Sequence, residues 1–205
     1  GGHWLTPYGI WIVDHGSPVI IGVRRPFPIG EELIPEHQTG ISIYGSSLIG
    51  TSELGYSLSL SNGRGPIDNY QELDKNKAVT GRLWVTNESP LGNISLGFTT
   101  YRGRYTDRIT RFVVASSGAV GNEYITRNRY DELSLAGDVR WVWHDLILQS
   151  ELIRRETAID DRFRAATLPL PGLPPGFAPD FRTTAYYVMA AYRLPWLNLM
   201  PFFGY

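Results

Sequence analysis

Apolar and polar positions alternate through LSLAGDVRWVW, residues 133–143, with Leu133, Leu135, Val139, Trp141 and Trp143 in one row and Asp138 and Arg140 in the other. Successive side chains of a strand point to opposite faces, so this period of two predicts a strand with one apolar and one charged face. Past His144 and Asp145 the pattern resumes in a new phase, Leu146, Leu148 and Leu152 in one row and Gln149, Glu151 and Arg155 in the other. A tight hairpin follows. The same design occurs at 38–49 and 54–63 around GTSE, and at 77–88 and 93–105 around SPLG. In the first, Tyr56, Leu58 and Leu60 oppose Ser57, Ser59 and Ser61. In the second, Val79, Leu83, Val85, Ile94, Leu96 and Phe98 oppose Thr80, Arg82, Thr86, Ser95 and Thr99. A further pair is predicted at 182–194 and 198–205 around PWL, with weaker alternation.

The remaining stretches, roughly 10–37, 64–76, 106–130 and 157–181, read as long connections. Five prolines in PLPGLPPGFAP, residues 169–179, forbid a regular ladder there. Short and long connections therefore alternate, which puts the long ones at one end of an up-and-down sheet. The predicted strands run to about 10–13 residues, where soluble strands usually have about 5 or 6. Some 11 residues at about 3.3 Å each, tilted about 45°, rise about 25 Å, the height of the apolar band of an outer-membrane barrel. The expectation is an all-β, transmembrane, antiparallel up-and-down β-barrel whose Trp/Leu row faces lipid and whose charged row surrounds water. The reverse assignment would place Arg140 and Arg155 in hydrocarbon, at up to about 2–4 kcal/mol each at midplane. Arg82, Asp138, Arg140, Gln149, Glu151 and Arg155 are accordingly the expected pore lining. Both signs of charge are present, which predicts weak ion selectivity.

Aromatics are abundant, 13% of the chain. Trp84, Trp141, Trp143, Tyr192, Trp196 and Phe202 lie near short turns, and Tyr101, Tyr105, Tyr130, Tyr186 and Tyr187 toward the long connections. They suggest two interfacial belts, although the phase puts Trp84 on the lumen row. The 205 residues suit one domain, 1–205, and the net charge of −1 offers no nucleic-acid footprint. Absence of cysteine removes disulfides, thiolate metal sites and cysteine nucleophiles. No apolar run is long enough for a spanning helix. Without a starting Met, Gly1 is expected not to be the natural start.

His3, His15, His37 and His144 show no metal-ligand spacing, and no cofactor is expected. Asp14–His15 and His144–Asp145 are adjacent pairs whose side chains leave a strand on opposite faces. Glu31–Glu32 and Asp160–Asp161 read as solvated loop carboxylates. Ser150 with His144 is the one nucleophile–base pairing open to a membrane esterase, and the chain reads as a non-enzyme.

TPYGIWIVDHGSPVIIGVRRP, followed by LIPEHQTGISIYGS and YSLSLSNGRG, resembles the outer-membrane porins of the phosphate-selective porin O and P group and their porin-like relatives, over most of residues 5–65. The resemblance implies a bacterial outer-membrane channel for passive diffusion of small ions and solutes, general or anion-preferring. It also implies a homotrimer among outer-membrane lipid and lipopolysaccharide, with one long loop folded inward. No motif fixes which arginines would correspond to that family's arginine ladder. Barrels of the family have more strands than the nine or ten counted, so a portion of a roughly 12–18-stranded barrel, incomplete at one or both ends, is expected. Arg24 and Arg25 in the 10–37 stretch are the first candidates for a constriction, and Arg108 and Arg111 in the 106–130 stretch, with Arg127 and Arg129, the second. The alternatives are a barrel serving as a socket or sheath for a partner protein, and a soluble carbohydrate-binding β protein.

Overall fold

The protein is described by a computed structural model that covers residues 1–13, 21, 25–64, 75–114, 120–160 and 180–205, without the side chains of 107–114 and 120–128. It is all-β. Nine antiparallel strands form one up-and-down sheet in chain order, and among the described residues β1 and β9 do not pair, so the sheet is open. The strands are β1 (Gly2–Leu5), β2 (His37–Ile49), β3 (Ser52–Ser61), β4 (Ala78–Ser89), β5 (Gly92–Val114), β6 (Val120–Trp143), β7 (Leu146–Ile159), β8 (Phe181–Tyr192) and β9 (Phe202–Gly204). One helical turn, α1 (Phe27–Gly30), follows β1, and a 3-10 turn, Pro195–Leu197, precedes β9.

The hairpins centre where the alternation places them. Gly50 takes φ 63° and His144 φ 50°, the left-handed conformations that tight connections demand. Register then sorts the rows. Asp138 pairs with Glu151, Arg140 with Gln149 and Arg82 with Thr99, so the ionic positions share what we call the inner face. Leu96 pairs with Val139 and Leu83 with Phe98, on the outer face.

Three expectations are corrected. Residues 106–114 and 120–130 are not a connection: β5 and β6 continue their ladder through them, from Thr106–Arg129 to Phe112–Glu123. Their many Thr, Tyr and Ile residues suit an extended backbone, while charges in both rows hide the period. Arg108 and Arg111 thus lie in β5 rather than in a constriction loop. The last pair is shorter than predicted, β9 having only three residues after a Leu194–Leu199 bridge. Pro195 and Pro201 flank that region, and neither can donate to a ladder. Finally, of the five tyrosines assigned to the far belt, Tyr101, Tyr105, Tyr130 and Tyr187 share the inner rows with Ser134 and Glu151, which leaves Tyr186 outside.

The core is not between two sheets. It lies between the inner face and the segment joining β1 to β2, whose Tyr8, Trp11, Ile12, Ile29, Leu33 and Ile34 are buried against it. Small inner-row residues, Ala78, Ala136, Ala185 and Ala191, leave the room that this segment fills. The outer face is apolar yet open: Ile41, Leu58, Leu83, Phe98 and Leu152 are each about half exposed or more, at 65, 47, 58, 52 and 52%.

Candidate functional site: an inserted segment against a charged inner face

The inserted segment is held by side chains whose place on the inner face follows from strand parity. Oε1 of Glu151, on β7, accepts from the backbone N–H of Ile10 (2.8 Å) and Trp11 (2.9 Å) and from the hydroxyl of Tyr187 on β8 (2.5 Å). Gly9 makes this approach possible. Its φ is +60°, and a Cβ there would stand 1.9 Å from Oε2 of Glu151. Replacing Gly9 with alanine imposes both a disfavoured backbone region and a clash. It is expected to cost the segment about 2 kcal/mol or more of docking free energy, read as faster hydrogen exchange at Ile10 and Trp11.

A second clamp lies further along. Ser134 donates its hydroxyl to the carbonyl of Leu33 (3.0 Å). Arg64, just past β3, reaches the carbonyl of Glu32 (2.7 Å) and both carboxyl oxygens of Glu132 (3.0 and 2.8 Å), and its own N–H donates to the Tyr101 hydroxyl. Burial alone would lower the pKa of Arg64; the hydrogen bonds and charge of Glu132 outweigh it and hold the guanidinium above its ordinary value. Burial raises the pKa of the Tyr8 phenol, with Glu151 adding to the effect. At the segment's base Thr6 ties its two ends together, donating its N–H to the carbonyl of Glu36 (2.7 Å) and its hydroxyl to that of Pro35 (2.5 Å).

Beside the first clamp the inner face is ionic. Arg82 on β4 reaches across β5 to Asp138 on β6 with two hydrogen bonds, 2.8 and 3.1 Å, and also meets Thr99 (3.1 Å). Gly97 stands between them, where a Cβ would lie 2.4 Å from Asp138 and 2.6 Å from Arg82. Gln38 and Thr80 continue the polar row (2.8 Å). On the short-turn side of the segment this face borders a cavity of about 500 Å³ lined by Pro7, Arg82, Trp84, Asp138 and Arg140. Trp84 also borders a second cavity of about 430 Å³ with Trp4 and Tyr44.

All six expected lining residues therefore occupy inner rows, and the structure groups them. Arg82, Asp138 and Arg140 border the larger cavity, Glu151 holds the segment, and Gln149 lies beside the Met189 sulfur (3.7 Å). Arg155 sits 4.0 Å from Glu132 and 5.3 Å over the Phe181 ring. Arg25 pairs with Glu36 at the exposed base of the segment (2.7 Å), and that hydrogen bond raises its pKa. Arg24, the Asp14–His15 pair, Asp161 and the proline-rich 169–179 lie outside the described residues. So do the side chains of Arg108, Arg111 and Arg127. Gly9, Arg64, Gly97, Glu132, Ser134 and Tyr187 were not singled out for this face from the sequence. Counting by twos from Asp138 reaches Ser134 and Glu132, whereas nothing local marks Gly9 or Gly97. Among the described residues no group of three His, Asp or Glu could hold a metal ion. Ser150 is on the outer row, donating to the carbonyl of Tyr187 (2.7 Å), and His144 lies in the turn against Trp143. Compared with family models, with curated proteins and with solved structures, the chain finds no match.

Proposed function

We propose that the chain is part of an outer-membrane β-barrel porin that passes small ions and solutes by diffusion, narrowed by its own inserted segment. One observation carries the reading: the apolar row is the exposed one, and the ionic row is the covered one. A water-soluble sheet has the opposite dressing. An outer face of Leu, Ile, Val and Phe suits acyl chains, and inner-row arginines and carboxyls beside a cavity suit an aqueous lumen. Trp141 and Trp143, stacked on the outer row at 6.1 Å near the short turn, suit an interfacial girdle. The inserted segment occupies the inner face that a docked partner protein would need, which favours a channel over a socket. In a lumen with Arg64, Arg82, Arg140 and Arg155 against Glu132, Asp138 and Glu151, the signs nearly balance and selectivity is weak. The open edges of β1 and β9 cannot stay unpaired in lipid, so the barrel closes with further strands or with other copies.

Planar-bilayer recording tests the reading. Folded protein is expected to give discrete conductance steps, and their absence overturns it. Face assignment has its own test. Val139→Arg, on the outer row at mid-height, is expected to reduce the free energy of folding into vesicles by about 2–4 kcal/mol. Thr86→Arg, on the inner row beside the cavity, should change it by less than about 1 kcal/mol and alter conductance instead.

A further inference from the structure

Trp84 is the tryptophan that an interfacial girdle leaves without a role. Trp141 and Trp143 stand on the outer row, whereas Trp84, at the same end of the sheet, stands on the inner one, in register with Gly55 on β3 and Gly97 on β5. Neither partner has a side chain. The indole lies over Gly55, where a Cβ would strike its Cε2 and Cζ2. Arg82, itself fixed by its hydrogen bonds to Asp138, holds its guanidinium carbon 6.0 Å from the centre of the ring, a cation–π geometry. Covering a glycine accounts for part of the indole, but Trp84 is only half-buried and borders both inner cavities, of about 500 and 430 Å³. Each has the size of a small-molecule site, about 300–1,000 Å³. Asn93, Asp138 and Arg140 border the larger cavity, and Trp4 and Tyr44, also on inner rows, border the smaller.

We propose that Trp84 is the stacking platform of a saccharide-binding site, a pyranose ring lying against the indole with its hydroxyls reaching Asp138, Arg140 and Asn93. The proposal rests on the channel reading and names a solute class for it. A pyranose has a face of C–H bonds, whose hydrogens carry a slight positive charge and suit the negative face of an indole, and a rim of hydroxyls that both donate and accept. The larger cavity offers the matching set: an indole, a carboxylate that accepts, a guanidinium that donates and an amide that does both. Charge separates a sugar from other ring-shaped solutes. With Asp138 set beside Arg82 and Arg140, an aromatic anion meets repulsion along with attraction, whereas a neutral polyol uses both signs. Trp84 and Pro7 border both cavities, so a second sugar unit can follow along Tyr44 and Trp4.

Saturation-transfer difference NMR of maltose with the folded chain in lauryldimethylamine-oxide micelles, a detergent without a sugar headgroup, tests this. Millimolar maltose is expected to receive saturation, most strongly at its ring C–H protons, and Trp84→Ala should weaken its binding about tenfold. Trp84→Phe keeps a ring, disturbs the fold least and should fall between the two. Trp196→Ala, which removes an exposed tryptophan from the turn before β9, should leave binding unchanged. No transfer to maltose, an unaltered affinity in both Trp84 variants, or an equal loss in Trp196→Ala overturns the proposal. So does tighter binding of sodium benzoate than of maltose, which would make the solute an aromatic acid. The readout needs no conductance. Conductance steps from the unaltered chain without maltose binding remove only the saccharide site, and maltose binding without steps removes only the channel.

Discussion

Glu151→Ala is expected to undock the inserted segment and widen the conductance step. Three donors meet on one oxygen of Glu151, and the residue is 1% exposed. Alanine strands the Ile10 and Trp11 amides and the Tyr187 hydroxyl together, at about 1–3 kcal/mol for each buried group left unmade. The whole sheet need not bear that loss, since the segment can leave its seat and let water reach those groups. The expected result is therefore local: hydrogen exchange at Ile10 and Trp11 faster by about a hundredfold, the equivalent of roughly 2.7 kcal/mol, with the β6–β7 ladder still protected. Glu151→Gln keeps an oxygen acceptor of similar reach and should fall between the two. If Glu151→Ala leaves both exchange and conductance as they were, Glu151 does not hold the segment and the segment does not narrow the path.

Two kinds of information in the chain behave differently here. Rows and hairpin centres were legible because they depend on neighbours two residues apart: once Leu133, Leu135 and Val139 define a face, Asp138 and Arg140 must take the other. The same count carried across His144 put Glu151 inside. What Glu151 holds there was not legible, because its partners lie about 140 residues earlier in a stretch with no period of its own. Residues 106–130 failed for another reason. Their charges fall in both rows, so the alternation vanishes although the ladder continues. Tyr187 was misplaced because YYVMAAY is apolar in both phases, and only pairing with Glu151 reveals which tyrosine turns inward. Gly97 has no sequence signature, since its role is to be empty where Arg82 crosses.

That crossing sets up the second large effect. Arg82→Ala is expected to destabilise the folded chain by about 3–5 kcal/mol, the usual consequence of stranding one member of a buried ion pair, with 8% of the Arg82 side chain and 3% of the Asp138 side chain exposed. Asp138 has no substitute partner of opposite charge in register, its β7 neighbour being Glu151. The loss would thus leave two acidic side chains adjacent on one face. Removing both partners, in Arg82→Met/Asp138→Leu, should recover most of the stability, because the desolvation penalty disappears along with the attraction. Chemical denaturation of the two single variants and the double variant gives the coupling directly, and a coupling below about 0.5 kcal/mol would mean that water in the neighbouring cavity already screens the pair. Permeation should separate these variants as well. Arg82→Ala removes one of the two arginines that border the cavity, leaving Arg140 with Asp138, and moves the reversal potential toward cations, whereas the double variant, which removes one charge of each sign, should leave it nearly where it began.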